Sequence, residues 1–211
     1  SPFSLNTYFN PSKFTIPQYN FRLGYYLKEH WDISFGIDHM KYVVRQNQVT
    51  EISGYIHKPE SIYDGDYEKN ELLLVEDFLK FEHTDGLNYI NIELRHFNKL
   101  MDIGKIEISL KEGFGAGLLL PRTNTTLLEN VRYDEFHLSG YGISGILGVN
   151  LTFLHHFFVQ SEIKGGFINL TDVRTTNSKT DKANHSFFFS QINIVFGANI
   201  NLKPKTKVDK I

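Results

Sequence analysis

The 211-residue sequence predicts an all-β chain, an antiparallel up-and-down transmembrane β-barrel of about eight strands, with ten as the upper count. Three observations predict it. Apolar and polar residues alternate with a period of two over most of the chain. The connections between these stretches are short and long in turn. The non-apolar face is largely glycine, serine and asparagine, with charges of both signs, and lacks the dense Lys, Glu and Asp of a water-facing surface.

In chain order, a less regular start covers Phe3 to Phe9 and then Phe14 to Leu27. Within it Phe21, Leu23, Tyr25 and Leu27 alternate with Arg22, Gly24 and Tyr26. Trp31, Ile33, Phe35 and Ile37 follow, between Asp32, Ser34, Gly36 and Asp38. Ile90, Ile92 and Leu94 interleave with Asn91, Glu93 and Arg95, and Ile106, Ile108 and Leu110 with Glu107, Ser109 and Lys111. Tyr141 to Phe153 and Gln191 to Leu202 repeat the pattern over longer spans. Phe157 to Leu170 is less regular, and its Gly165-Gly166 pair predicts a bulge that switches side-chain parity.

Short turns are expected at Lys28-Glu29-His30, around Asn98 to Gly104, and at Leu154-His155. Long polar loops are expected at 46–71, 121–134 and 174–185. If Phe97 and Lys105 flank a turn, Arg95 falls opposite Glu107 and Asn91 opposite Lys111, so that lumenal charges pair. A lone buried charge is costly. Eight strands leave room only for side chains inside, which suits the small residues of the polar face. A solvated face with salt bridges is the plainer alternative. It leaves the many strand glycines without a compensating gain.

With 22 basic and 24 acidic residues the chain has no electrostatic footprint for nucleic acid. There is no cysteine, hence no disulfide framework and no thiolate metal site. No apolar run approaches the roughly 18 residues of a membrane helix. The start, Ser1-Pro2-Phe3, carries no signal region, so an exported protein requires a signal peptide already removed. The whole chain, 1–211, is expected to be one barrel domain ending in a short basic tail, 203–211. Aromatics are expected in two interfacial belts, with Tyr25, Tyr26, Trp31, Phe153, Phe157 and Phe158 beside the short turns. Tyr42, Tyr133, Phe136, Phe187 and Phe188 are expected toward the loops.

In this pattern the chain resembles the small Gram-negative outer-membrane barrels of the general OmpA, OmpX or PagL type. The likeness is one of alternation, belts and connection lengths over nearly the whole chain, without a specific motif. It implies a location in the bacterial outer membrane, in contact with outer-membrane lipid and lipopolysaccharide. The basic tail past Leu202 departs from barrels that end on an aromatic of the last strand.

One constellation could carry chemistry. His137 and Ser139, in Phe136-His137-Leu138-Ser139, share a face at the loop end of their strand, where outer-leaflet headgroups would lie. They resemble the histidine-x-serine pair of PagL-type lipid A deacylases. That resemblance implies Ser139 as nucleophile, His137 as base and a carboxylate to orient the base. Asp172, opposite His137 if the hairpin turns near Leu154-His155, is the candidate third member. Gly140 follows the serine where that family continues Ser-Asn.

The histidines His39, His57, His83, His137 and His185, with Glu82, Asp85, Asp134 and Glu135 nearby, show no metal-ligand spacing, and neither a metal nor a cofactor is expected. Gly113-Phe114-Gly115-Ala116-Gly117 has no following Lys-Ser/Thr and reads as a slim inward strip beside a bulky neighbour. A porin-like channel is disfavoured because paired lumenal charges would plug it. The leading expectation is a non-enzymatic structural or accessory subunit that meets other outer-membrane proteins through loop 46–71, with its tyrosines at 55, 63 and 67. The alternative is lipid ester hydrolysis through His137 and Ser139.

Overall fold

The structure, a computed structural model, describes residues 19–202, without the side chain of Thr84. The expected first strand at Phe3 to Phe9 and the tail 203–211 lie outside the described residues. The chain is all-β and antiparallel. Its strands are β1 (Asn20–Lys28), β2 (Trp31–Met40), β3 (Gln48–Ile56), β4 (Gly65–Leu74), β5 (Leu79–Ile103), β6 (Ile106–Leu127), β7 (Tyr133–Phe136), β8 (Gly140–Phe153), β9 (Phe157–Arg174) and β10 (Lys182–Ala198).

One sheet runs β1-β2-β5-β6-β8-β9-β10, with β7 paired to the loop end of β6 above β8. β3 and β4 form a separate hairpin. No ladder joins β1 to β10 among the described residues, so the expected closure does not appear among them. It is nevertheless strongly curled. β2 and β9 are four strand steps apart, about 19 Å along the sheet at roughly 4.8 Å per step. Lys164 of β9 still reaches Asp38 of β2 across the interior.

Side chains alternate as their sequence does, with the apolar set outside. Trp31, Ile33, Phe35, Ile92, Leu94, Ile143, Leu147, Ile163, Ile192, Ile194 and Phe196 are exposed. Asp32, Asn91, Glu93, Arg95, Gln160, Glu162 and Lys164, from the alternate positions, are buried.

Register departs from expectation at the β5–β6 turn. Both strands run on to Ile103 and Ile106, leaving only Gly104-Lys105, with Gly104 at φ 62°. After a bulge between Lys99 and Met101 takes back one residue, Arg95 lies opposite Gly113 rather than Glu107, and Asn91 opposite Gly117 rather than Lys111. The slip is six residues, an even number, so the faces survive while every pair changes. Gly113, Gly115 and Gly117 sit beside Arg95, Glu93 and Asn91, and a Cβ on Gly115 would lie 2.7 Å from Glu93 Cγ.

The long loops are also more ordered than expected. Segment 46–71 is mostly the β3–β4 hairpin. β6 and β7 occupy much of 121–134, and β9 and β10 leave only 175–181 between them. The registers pass Gly165-Gly166 without a shift, so no bulge forms there. The bulge is at Thr171-Asp172, whose amides both donate to the Ser139 carbonyl at 2.8 and 3.1 Å.

Candidate functional site

That bulge positions the predicted site. Buried parity on β9 follows Gln160, Glu162, Lys164, Ile168 and Leu170, and then passes to Val173. The extra residue turns Asp172 away from the interior and toward the segment joining β7 to β8. There the His137 amide donates to the Pro121 carbonyl and the Ser139 amide to the Leu119 carbonyl, which fixes both residues against β6.

His137 Nε2 lies 3.1 Å from Asp172 Oδ2. The hydrogen bond from His137 holds the Asp172 carboxyl below its ordinary range, with Arg174 adding to the effect. Ser139 is brought close in sequence but not in orientation. It is 1% exposed, and its hydroxyl donates to the His137 carbonyl at 3.0 Å, a backbone acceptor and not the imidazole. The structure thus brings together two of the three residues, the histidine and the carboxylate. The third is turned into the wall.

Inside the curl lies a charged layer. Glu93 Oε1 accepts from Lys164 Nζ at 2.7 Å and forms an ion pair with Arg22 Nη2 at 2.9 Å, and Glu93 Oε2 lies 2.5 Å from Arg95 Nη2. Arg95 Nη1 reaches Glu162 Oε2 at 3.2 Å, and Lys111 reaches Asp32 at 3.1 Å. Asp38 takes Lys164 and the Asn91 amide. Four cations (Arg22, Arg95, Lys111, Lys164) thus face four anions (Asp32, Asp38, Glu93, Glu162). Such balance is what a poorly hydrated interior requires.

Toward the loops the interior turns apolar, where a polar lumen was expected throughout. Met40, Phe81, Leu87, Tyr89, Leu119, Ile168, Leu170 and Val173 form one buried cluster, with Tyr42, Phe187 and Phe189 packed against it. Tyr42 and Phe187, expected in an outer belt, face inward instead, and their rings stack at 5.0 Å. Phe188, by contrast, is 83% exposed.

His83 and His185 join this cluster, their rings 6.3 Å apart and nearly parallel. His83 Nδ1 meets Thr123 Oγ1 at 3.1 Å, and burial, helped by His185, pushes the His83 imidazole down to about 3. Histidine spacing gave no sign of this pair. Parity on β10 did carry one, because His185, Phe187 and Phe189 share the face of Gln191 and Asn193. Among the described residues no group of three or more His, Asp or Glu is arranged to hold a metal ion.

No protein-family model, no curated protein and no solved structure matches this chain.

Proposed function

We propose that this chain is a transmembrane β-barrel of the bacterial outer membrane, packed shut inside. It acts as a structural or accessory subunit through the surface it presents at its loop end. The observation that carries this reading is the inversion of the two faces. A layer of charged side chains is buried inside, while Phe21, Leu23, Phe35, Phe114, Ile192 and Phe196 stand on the outside with more than half of their surface uncovered.

Soluble monomers rarely expose apolar patches beyond a few hundred Å². Moving one such side chain out of water is worth about 1.5–3 kcal/mol, so hydrocarbon is the natural surrounding of this wall. Exposed aromatics at its ends, Trp31 and Phe157 on the turn side and Tyr141 and Phe188 on the loop side, suit the two interfaces. No helix among the described residues is long and apolar enough to cross a membrane, which has no bearing on strands.

The paired charges of this layer and the apolar cluster above it favour a platform over a channel. The contact surface proposed for another envelope protein is the β3–β4 hairpin, where Tyr55 is 80% exposed. Tyrosine at such a position is favoured at interfaces.

The single tryptophan, Trp31, tests the membrane reading. Purified chain reconstituted in vesicles of lipids brominated along the acyl chains should lose most of its Trp31 fluorescence. A chain that stays soluble without detergent and keeps its fluorescence would overturn the reading.

Ester hydrolysis at the outer leaflet is the second reading, favoured by the His137–Asp172 contact. It needs the Ser139 hydroxyl to leave the His137 carbonyl and turn to the imidazole. Ser139→Ala should then abolish acyl release from a lipid A-like substrate while the barrel still folds. Equal release from parent and variant would remove this reading. Losing a nucleophile costs several orders of magnitude in rate, so the two results are well separated.

A further inference from the structure

Residues 41–47, which lead from β2 to β3, lie as a strap against the loop end of β5. The Val44 amide donates to the Phe81 carbonyl at 2.9 Å and the His83 amide to the Tyr42 carbonyl at 3.0 Å, and Val43 bridges Glu82. Exposure alternates along the strap. Lys41, Val43 and Arg45 face out, while Tyr42 and Val44 pack on the apolar cluster. The Tyr42 ring and those of Phe81, His83 and His185 form a tetrahedron, with all six centroid separations between 5.0 and 6.3 Å. Two of the four rings can take a proton.

This seat suits neutral imidazoles. His83 Nδ1 meets Thr123 Oγ1 at 3.1 Å, and a hydroxyl can donate to or accept from a neutral ring. An imidazolium carries two N–H donors. Nε2 of His83 and Nε2 of His185 are buried with no hydrogen-bond partner among the described residues, and no carboxylate acts on either ring.

The charged groups of the surrounding elements are engaged elsewhere or exposed. On β5, Lys80 pairs with Glu76, Glu82 takes the Asn124 amide and Asp85 takes Arg122 of β6. On β7, Asp134 takes Arg122 and Arg132, and Glu135 takes the Tyr133 hydroxyl. On β9, Asp172 takes His137, and Arg174 reaches the Lys179 carbonyl. Lys182 of β10 is exposed. On β2, His39 meets Asn88, and Asp38 is held by Lys164.

Burial pushes both imidazoles below their ordinary range, His83 to about 3 with the help of His185. Lifting the strap would return them to water, so the open form binds protons that the closed form refuses. Acid therefore favours opening. Between 6.5 and about 3, each pH unit of acidification raises the open-to-closed ratio about tenfold through His83, and His185 adds to this. Segments held by few backbone bonds and few apolar contacts open before the whole fold does.

We infer that residues 41–47 are an acid-released latch: protonation of His83 and His185 unseats Tyr42, lifts the strap from β5 and bares the apolar cluster, while the charged layer beneath stays paired. The latch is independent of the membrane reading.

The chain has no cysteine, so single introduced thiols report without background. In the full chain, Val44→Cys reports the inner face of the strap and Val43→Cys its outer face. Ser144→Cys, at a site 5% exposed in the wall beside Gly115, reports the integrity of the sheet. Dividing the labelling rate of Val44→Cys with a methanethiosulfonate by that of Val43→Cys at each pH removes the pH dependence of the reagent. The ratio should be low at pH 7.5 and rise at least about tenfold between pH 6.5 and pH 5, with Ser144→Cys still protected. His83→Phe and His185→Phe, made singly, should each reduce the rise. A ratio that does not change with pH overturns the inference, as does an undiminished rise in both variants. Loss of Ser144→Cys protection over the same range also overturns it, because the whole sheet would then be unfolding.

Discussion

Glu93 is the residue whose loss the interior should tolerate least. It is fully buried, and its two oxygens serve Lys164, Arg22 and Arg95 at once. Glu93→Ala leaves four cations against three anions in the charged layer. Of its carboxylate partners Arg22 keeps Asp38, at 3.8 Å, beside its hydrogen bonds to Asn91 and Ser34, while Arg95 keeps Glu162 and Lys164 keeps Asp38. Removing one partner of a buried pair costs about 3–5 kcal/mol, because the remaining charge stays desolvated. Glu93→Ala should therefore unfold at a clearly lower denaturant concentration than the parent. Removing a cation as well, in Glu93→Ala with Lys164→Met, restores the charge balance. It should recover part of the loss, and the coupling can be read from a double-mutant cycle. A Glu93→Ala chain as resistant as the parent would refute the balanced network and point to a hydrated interior.

Other perturbations test the packing around this layer. Gly115→Val places a side chain where even a Cβ comes 2.7 Å from Glu93 Cγ and 2.9 Å from Ser144 Oγ; a loss of about 1–3 kcal/mol is expected in denaturant unfolding. At Gly145, whose Cβ would meet nothing within 4 Å, the same change should cost markedly less. His83 gives a pH dependence of known sign. Between its ordinary 6.5 and about 3 the unfolded imidazole takes a proton that the buried one refuses. Stability should be full above pH 6.5 and fall progressively toward pH 3, by a few kcal/mol at about 1.4 per pH unit. His83→Phe should flatten that fall, and an unchanged pH profile would show that the folded protein protonates His83 freely.

The bulge that directs Asp172 shows where sequence reasoning works and where it stops. The need for a parity switch on β9 was legible, because Asp172 has the parity of the inward residues Gln160 and Glu162 and yet was expected beside His137. Its place was not. Gly165-Gly166 offered the conformational freedom, but the bulge forms at Thr171-Asp172, where the Ser139 carbonyl accepts two amides in place of one. That carbonyl is available because the ladder is broken between β7 and β8, where residues 137–139 face only residues 120–121 of β6. Ser139 lies in the same break, so no residue spacing could have shown that its hydroxyl meets a backbone carbonyl.

The alternation by itself determined that the chain is built of antiparallel strands with one apolar and one small, polar face. The glycine strip at residues 113–117 likewise announced a bulky partner. These are local properties, fixed by the two-residue period of the strand and by side-chain volume. Pairing was not local. Moving the β5–β6 turn to Gly104-Lys105, together with the bulge between Lys99 and Met101, slid the register by six residues, kept the faces beyond that bulge, and exchanged Glu107 for Glu93 and Glu162 as partners of Arg95. Only the curl of the sheet decided that β9 meets β2 and that the loop-end interior is apolar. Contacts across the interior of the curled sheet join residues far apart in sequence, as Lys164 and Asp38 are, and no short-range pattern encodes them.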